Sequence, residues 1–164
     1  PLPQPGQVFS AIDVWTDEQG AHWAMLAGSR TRWIWPGADN FGFATWVQAN
    51  CVELRKLGPG QHFGEWWGQG IQRGYGLTEK RFSLFNSGRW SSERPACCHV
   101  VPVLYSGVFS STVVDEALSK LAADGSVAAP GFMKPEGVVI FHPQGNVGFK
   151  KTIEKDETPK SLCR

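Results

Sequence analysis

Four short segments place charged side chains inside otherwise apolar, strand-like runs. In Gly64-Glu65-Trp66-Trp67, Glu65 has Phe63 and Trp67 beside it. A carboxylate there is costly unless it accepts hydrogen bonds or meets a ligand hydroxyl or a metal. The alternative is an acid on the solvent face of an amphipathic strand. In Pro135-Glu136-Gly137-Val138-Val139-Ile140, Glu136 directly precedes an apolar run, and Gly137 lets a backbone or ligand come close. An ordinary strand-start acid beside a turn reads the same way. In Phe149-Lys150-Lys151-Thr152, adjacent lysines on a strand point to opposite faces, so one can meet a phosphate while the other is solvated. A wet edge strand also carries lysines. In Ser29-Arg30-Thr31-Arg32, an extended chain puts both arginines on one side. Two guanidiniums side by side repel unless they share an anion, and their forks suit phosphate. A salt-bridged surface turn is the alternative.

Two aromatics lie close by in Arg81-Phe82-Ser83-Leu84-Phe85-Asn86. Phe82 or Phe85 can stack on a base, although aromatics on strands more often fill a core. The glycine-rich run Gly68–Gly76 has no G-x-x-x-x-G-K-[ST] pattern and no dinucleotide fingerprint, so it is a weak phosphate loop. His22, His62, His99 and His142 have no G-x-S-x-G nearby, which argues against a serine or cysteine hydrolase. Zinc would need Cys97, Cys98, His99 and a distant fourth ligand, yet His99-Val100-Val101 reads as the start of a strand. The 4 cysteines show no C-x-x-C spacing, which favours a reduced, cytoplasmic setting.

The elements that must position these groups belong to one domain over 1–164, since 164 residues with 41% hydrophobics support one core. The 16 basic and 15 acidic residues give a net charge of +1, and charged residues are only 19%. This excludes a disordered acidic chain and a basic arm, so any polyanion must be held by a few placed cations. No apolar run reaches the ~20 residues of a membrane span, and no leader pattern is visible. The 19 glycines and 11 prolines point to many turns and short strands.

Residues 1–7 read as a Pro-rich lead. Val8–Trp15 and His22–Ala27 read as a hairpin around the turn Asp17–Gly20. Asp39 or Asn40 is a candidate cap for a helix through Leu57, with Phe43, Val47, Cys51 and Leu54 at helical spacing and Gly58 as the stop. Strands are expected at Gln61–Trp67, Arg81–Phe85 and Val100–Leu104, with a loop over Gly68–Leu77. A second helix is expected at Thr112–Ala123, with Val113, Val114, Ala117, Leu118 and Leu121 inward and Gly125 as its stop. Gly137–Phe141 and Asn146–Ile153 read as strands joined by His142-Pro143-Gln144-Gly145. About seven strands and two helices with hairpin-length connections make an α+β pattern on antiparallel sheet.

Taken in order, Ser-Arg, Gly-Glu-Trp, Phe-Ser-Leu-Phe, Pro-Glu-Gly-Val-Val and Phe-Lys-Lys-Thr resemble the motif series of ATP-dependent RNA ligases. These belong to the covalent nucleotidyltransferase superfamily, with DNA ligases and capping enzymes. The resemblance runs from Gly28 to Lys160. Phe63–Tyr75 and Ala129–Gly137 look particularly like small RNA ligase proteins. The resemblance implies an antiparallel-sheet nucleotidyltransferase fold, related to ATP-grasp, with ATP and Mg²⁺ as cofactors. It implies that Glu65 binds the ribose, Phe82 or Phe85 stacks on adenine, and Glu136 serves metal-dependent steps. Lys150 would contact the α-phosphate, with Glu136 and Lys150 as the catalytic pair. Arg30 would touch nucleotide or polynucleotide phosphate, with Arg32 and Lys151 as further phosphate or RNA contacts. The family's second lysine would fall at Thr152, a departure from K-x-K. The implied partners are RNA ends bearing a 5′-phosphate and a 3′-hydroxyl, joined through lysyl-AMP and RNA-adenylate.

A larger departure concerns the nucleophile. The motif K-x-D-G or K-x-H-G belongs just before the strand Val8–Trp15, but no lysine precedes Lys56, and Asp13 is not followed by Gly. The expectation is an adenylation domain lacking its N-terminal segment, which labelled ATP leaves without a labelled lysine. The alternative is a non-catalytic nucleotide- or RNA-binding pseudo-enzyme. A DNA ligase or capping enzyme is a third reading, disfavoured because no OB-like domain follows.

Overall fold

A computed structural model describes residues 11–39 and 41–154. The Pro-rich lead, Val8–Ser10 and the candidate cap Asn40 lie outside the described residues. The chain is α+β, built of small sheets.

Apolar alternation and a tight turn build the first hairpin. Strand β1 (Asp13–Thr16) pairs antiparallel with β2 (His22–Met25), with Trp15 opposite Trp23. Asp17 holds the turn by accepting from the backbone N–H of Gln19 and Ala21 and from the Trp23 indole. Strands β3 (Ala27–Gly28) and β4 (Trp33–Ile34) form a second, very short hairpin. Of the two readings of Ser29–Arg32, extended segment or surface turn, the structure has the turn. The Ser29 N–H and hydroxyl both donate to the Arg32 carbonyl, at 2.8 and 3.0 Å, and close a turn. Strand alternation therefore does not apply to Arg30 and Arg32.

The expected helix begins at Phe43 and is interrupted at Asn50. It forms α1 (Phe43–Ala49), α2 (Cys51–Leu54) and a final 3-10 turn over Arg55–Leu57. The Asp39 carboxylate accepts from the Ala44 N–H at 2.5 Å. This satisfies one orphan donor of the first turn. Gly58 ends the run with φ 75°.

The core sits where this helical layer meets a three-stranded sheet. Strand β5 (Gly64–Gly68) pairs antiparallel with β6 (Lys80–Leu84), and β6 pairs parallel with β7 (Cys98–Val100). Helix α3 (Ser87–Trp90) lies in the connection from β6 to β7, capped by the Asn86 side chain. The third strand was expected at Val100–Leu104 and antiparallel. It lies earlier and is parallel, because the connection through α3 returns the chain in the same direction. Residues 101–106 form no regular element. One sheet face carries Trp66, Phe82, Leu84 and Cys98, and packs against Ala44, Val47, Leu54, Leu57 and Trp90. Phe43, Trp46, Trp66 and Phe82 form an aromatic cluster with ring centres 5.0 to 5.9 Å apart. Gly64 is required by this packing, since a Cβ there would lie 2.7 Å from the Phe82 ring.

Helix α4 (Ser111–Asp124) presents Val113, Val114, Ala117, Leu118 and Leu121 as its least exposed side, and Gly125 ends it. It packs on the last hairpin, β8 (Gly137–His142) with β9 (Val147–Thr152). Among the described residues, no helix is long and apolar enough to cross a membrane.

Candidate functional site

Strand parity decides which side chains share the sheet face opposite the core. Glu65 stands opposite Ser83. Glu65, Trp67, Ser83 and Phe85 therefore share the sheet face that the helices do not cover. Ser83 is buried there and accepts from the Trp67 indole at 2.9 Å. Phe85 continues this face, with its N–H on the Phe63 carbonyl at 2.9 Å and 48% of its surface exposed. Phe82, only 7% exposed, points into the core. The reading of Phe82 as a base-stacking residue is thus corrected: its ring is occupied by Phe43 and Trp46.

The β8–β9 hairpin brings two further groups. Lys150 pairs in register with Val139, and its Nζ lies 2.5 Å from Glu136 Oε1. Gly137 makes this hairpin possible. Its φ is 156°, and a Cβ would lie 2.1 Å from the Lys151 carbonyl. The close approach anticipated at Gly137 is made by the chain's own backbone.

Lys150 and Glu136 are in contact, and the charges of Lys150, Glu136 and Arg30 all reach Glu65. Glu65 keeps contact with solvent, yet protein surrounds its carboxyl closely enough for desolvation to push its pKa above the ordinary value. Lys150 and Arg30 pull the pKa down, and Glu136 pushes it further up. These four groups come from four separated segments of sequence. A cluster of two carboxylates and two cations can grip a ligand bearing both hydroxyls and phosphate.

Two expected members stand apart from the four. Lys151 turns to the opposite hairpin face, where its Nζ meets Asp115 Oδ1 of α4 at 2.5 Å. Its assignment as a phosphate or RNA contact is corrected to that of a tie between hairpin and helix. Arg32 is exposed at the β3–β4 turn and is not among the groups acting on Glu65. Cys98 and His99 point to opposite faces of β7, which disperses the Cys97-Cys98-His99 trio.

Sequence reasoning missed Arg73 and Tyr75. Both lie in the glycine-rich run that was set aside for lacking a phosphate-loop pattern. The one available signal was an arginine and an aromatic amid four glycines. Comparison with family models, curated proteins and solved structures found no match.

Proposed function

We propose that the chain binds an adenine nucleotide between β5–β6 and β8–β9, as in the RNA-ligase-like nucleotidyltransferases its motifs resemble. One observation supports this reading above all: Lys150 pairs with Glu136, and the charges of both, with that of Arg30, reach Glu65. The mixed α+β architecture with small sheets is compatible with the α+β class of that family.

In this reading Glu65 accepts from the ribose hydroxyls, and the exposed Phe85 ring on the same face stacks on adenine. Lys150 neutralises the α-phosphate, moving from its ion pair with Glu136, while Arg30 takes a more distal phosphate. Mg²⁺ fits the donor set, because it takes hard oxygen ligands from one or two carboxylates plus ligand phosphates. Glu136 would hold it, with Glu65 nearby. When bound, the ion supplies charge neutralisation at the phosphates.

The overall reaction proposed is joining of RNA 5′-phosphate and 3′-hydroxyl ends. A lysine displaces pyrophosphate from ATP, AMP passes to the 5′-phosphate, and the 3′-hydroxyl then displaces AMP. The residues of this chain hold and neutralise the nucleotide in that scheme. The second reading is a nucleotide- or RNA-binding protein without chemistry. A cytoplasmic setting belongs to both readings.

Calorimetric titration of the chain with AMP and ATP, with and without Mg²⁺, tests the proposal. Saturable binding, weakened about tenfold or more by Glu65→Ala at unchanged melting temperature, is expected. No binding up to millimolar nucleotide contradicts it. Alkali-stable, acid-labile label on a lysine after incubation with labelled ATP excludes the second reading.

A further inference from the structure

The run Gly68–Gly76, between β5 and β6, touches the segments that flank the β8–β9 hairpin. Arg73 donates from Nη1 to the Lys134 carbonyl at 3.1 Å and from Nη2 to Glu154 Oε2 at 3.0 Å. Lys134 lies two residues before Glu136, and Glu154 lies two residues after β9 ends. One guanidinium thus grips both legs of the hairpin that carries Glu136 and Lys150. Tyr75 reinforces the grip, with its ring centre 5.3 Å from Trp67 on the Glu65 face and 4.7 Å from Phe132 ahead of the hairpin.

The loop backbone is held in an unfavourable shape for this purpose. Gln72 and Tyr75 have φ of 43° and 52°. Such non-glycine conformations are costly and persist only where the surroundings over-determine them. The Arg73 fork and the Trp67–Tyr75–Phe132 stack supply that constraint. The hairpin needs it, because β8–β9 pairs with no strand of the β5–β7 sheet. A two-stranded hairpin alone is marginally stable.

We infer that Arg73 is a positioning residue: it straps the hairpin bearing Glu136 and Lys150 to the sheet bearing Glu65 and so sets how these groups stand toward one another. Arginine suits the task, since its planar fork spans two acceptors where a lysine ammonium holds a single point. The inference deepens the nucleotide-binding reading and rests on it only for the identity of the ligand. The competing role is direct contact with an anion, because Arg73 also feels the charge of Glu136.

The test uses the full chain with Arg73→Ala, Arg73→Lys, Glu154→Ala and the Arg73→Ala/Glu154→Ala double variant. Glu154 is exposed, so Glu154→Ala keeps the test open if Arg73→Ala does not fold. The first readout, hydrogen exchange of residues 135–153, needs no ligand. The strap predicts about tenfold faster exchange there in Arg73→Ala, a smaller rise in Glu154→Ala and no further rise in the double variant, with β5–β6 unchanged. AMP affinity should fall in the same order, with Arg73→Lys only partly restoring it. Wild-type exchange in both single variants overturns the strap, whether or not AMP binds. Lower AMP affinity in Arg73→Ala together with wild-type exchange and affinity in Glu154→Ala also overturns it, in favour of direct anion contact. If the wild type binds no AMP, the nucleotide reading fails and the exchange data alone decide the strap.

Discussion

The Lys150 ammonium lies 2.5 Å from the Glu136 carboxylate, and the charges of both reach Glu65 of β5. Its neighbour Lys151 pairs instead with Asp115 of α4. The two lysines therefore do separate work despite being adjacent. Lys150→Ala should weaken AMP binding about tenfold or more, and Lys151→Ala by less than about twofold. Equal losses in a calorimetric titration would show that parity does not divide their roles.

Phe82 and Phe85 divide in the same way. Phe82→Ala empties part of the core and should destabilise the chain by about 3–5 kcal/mol in urea unfolding. Phe85→Ala should leave stability nearly unchanged and reduce affinity for AMP. A Phe85→Ala variant that binds AMP normally removes Phe85 from the stacking role.

Gly137→Ala forces a Cβ against the Lys151 carbonyl and should disrupt β8–β9. The expected loss is of order 3 kcal/mol, accompanied by loss of AMP binding, since Glu136 and Lys150 share that hairpin. An alanine variant with wild-type melting temperature would show that the hairpin can shift to accept a side chain.

The Asp13–Arg55 pair gives the stability a defined pH dependence. Arg55 Nε and Nη2 donate to the two Asp13 oxygens at 2.8 and 2.9 Å, and the guanidinium lies 4.9 Å from the Trp15 ring centre. The hydrogen bond to Arg55 holds the Asp13 carboxyl below its ordinary value of 3.8. The unfolded chain therefore takes up this proton at a higher pH than the folded one. The pair's contribution is complete above the unfolded value and is lost as pH falls through the folded value. Asp13→Asn should lower the melting temperature at pH 7, and its deficit should shrink as pH drops below 3.8. A deficit independent of pH contradicts this assignment.

Cys98 is buried, and desolvation with the adjacent Cys97 pushes its thiol up to about 12. Since the thiolate is the reactive form, native Cys98 should resist alkylation at pH 8 and react only on unfolding. Rapid modification in the native state, read by peptide mass, would contradict that environment.

The clearest sequence signals were local ones. Helix α4 shows its inward residues at helical spacing, and β8–β9 shows two apolar runs around a Pro-Gln-Gly turn, so both were legible. The interrupted helix from Phe43 was read correctly in its inward residues but not at Asn50. What the sequence concealed depends on distant partners. Phe82 and Phe85 are equally apolar, and only the register of β6 against β5 separates core from the opposite face. Val100–Leu104 looks like a strand by composition, yet pairing with Phe82–Leu84 selects Cys98–Val100. Ser29–Arg32 was open between an extended segment and a turn, and the Ser29 N–H and hydroxyl on the Arg32 carbonyl select the turn. Arg73 carried no motif, because its partners are a carbonyl 61 residues away and a carboxylate 81 residues away.

Amide chemical-shift mapping during an AMP titration is the most direct measure of the central claim. The nucleotide-binding account predicts saturable shifts clustered at Glu65, Phe85, Glu136 and Lys150, with β1–β2 unmoved. Shifts confined elsewhere, or none up to millimolar AMP, would contradict it.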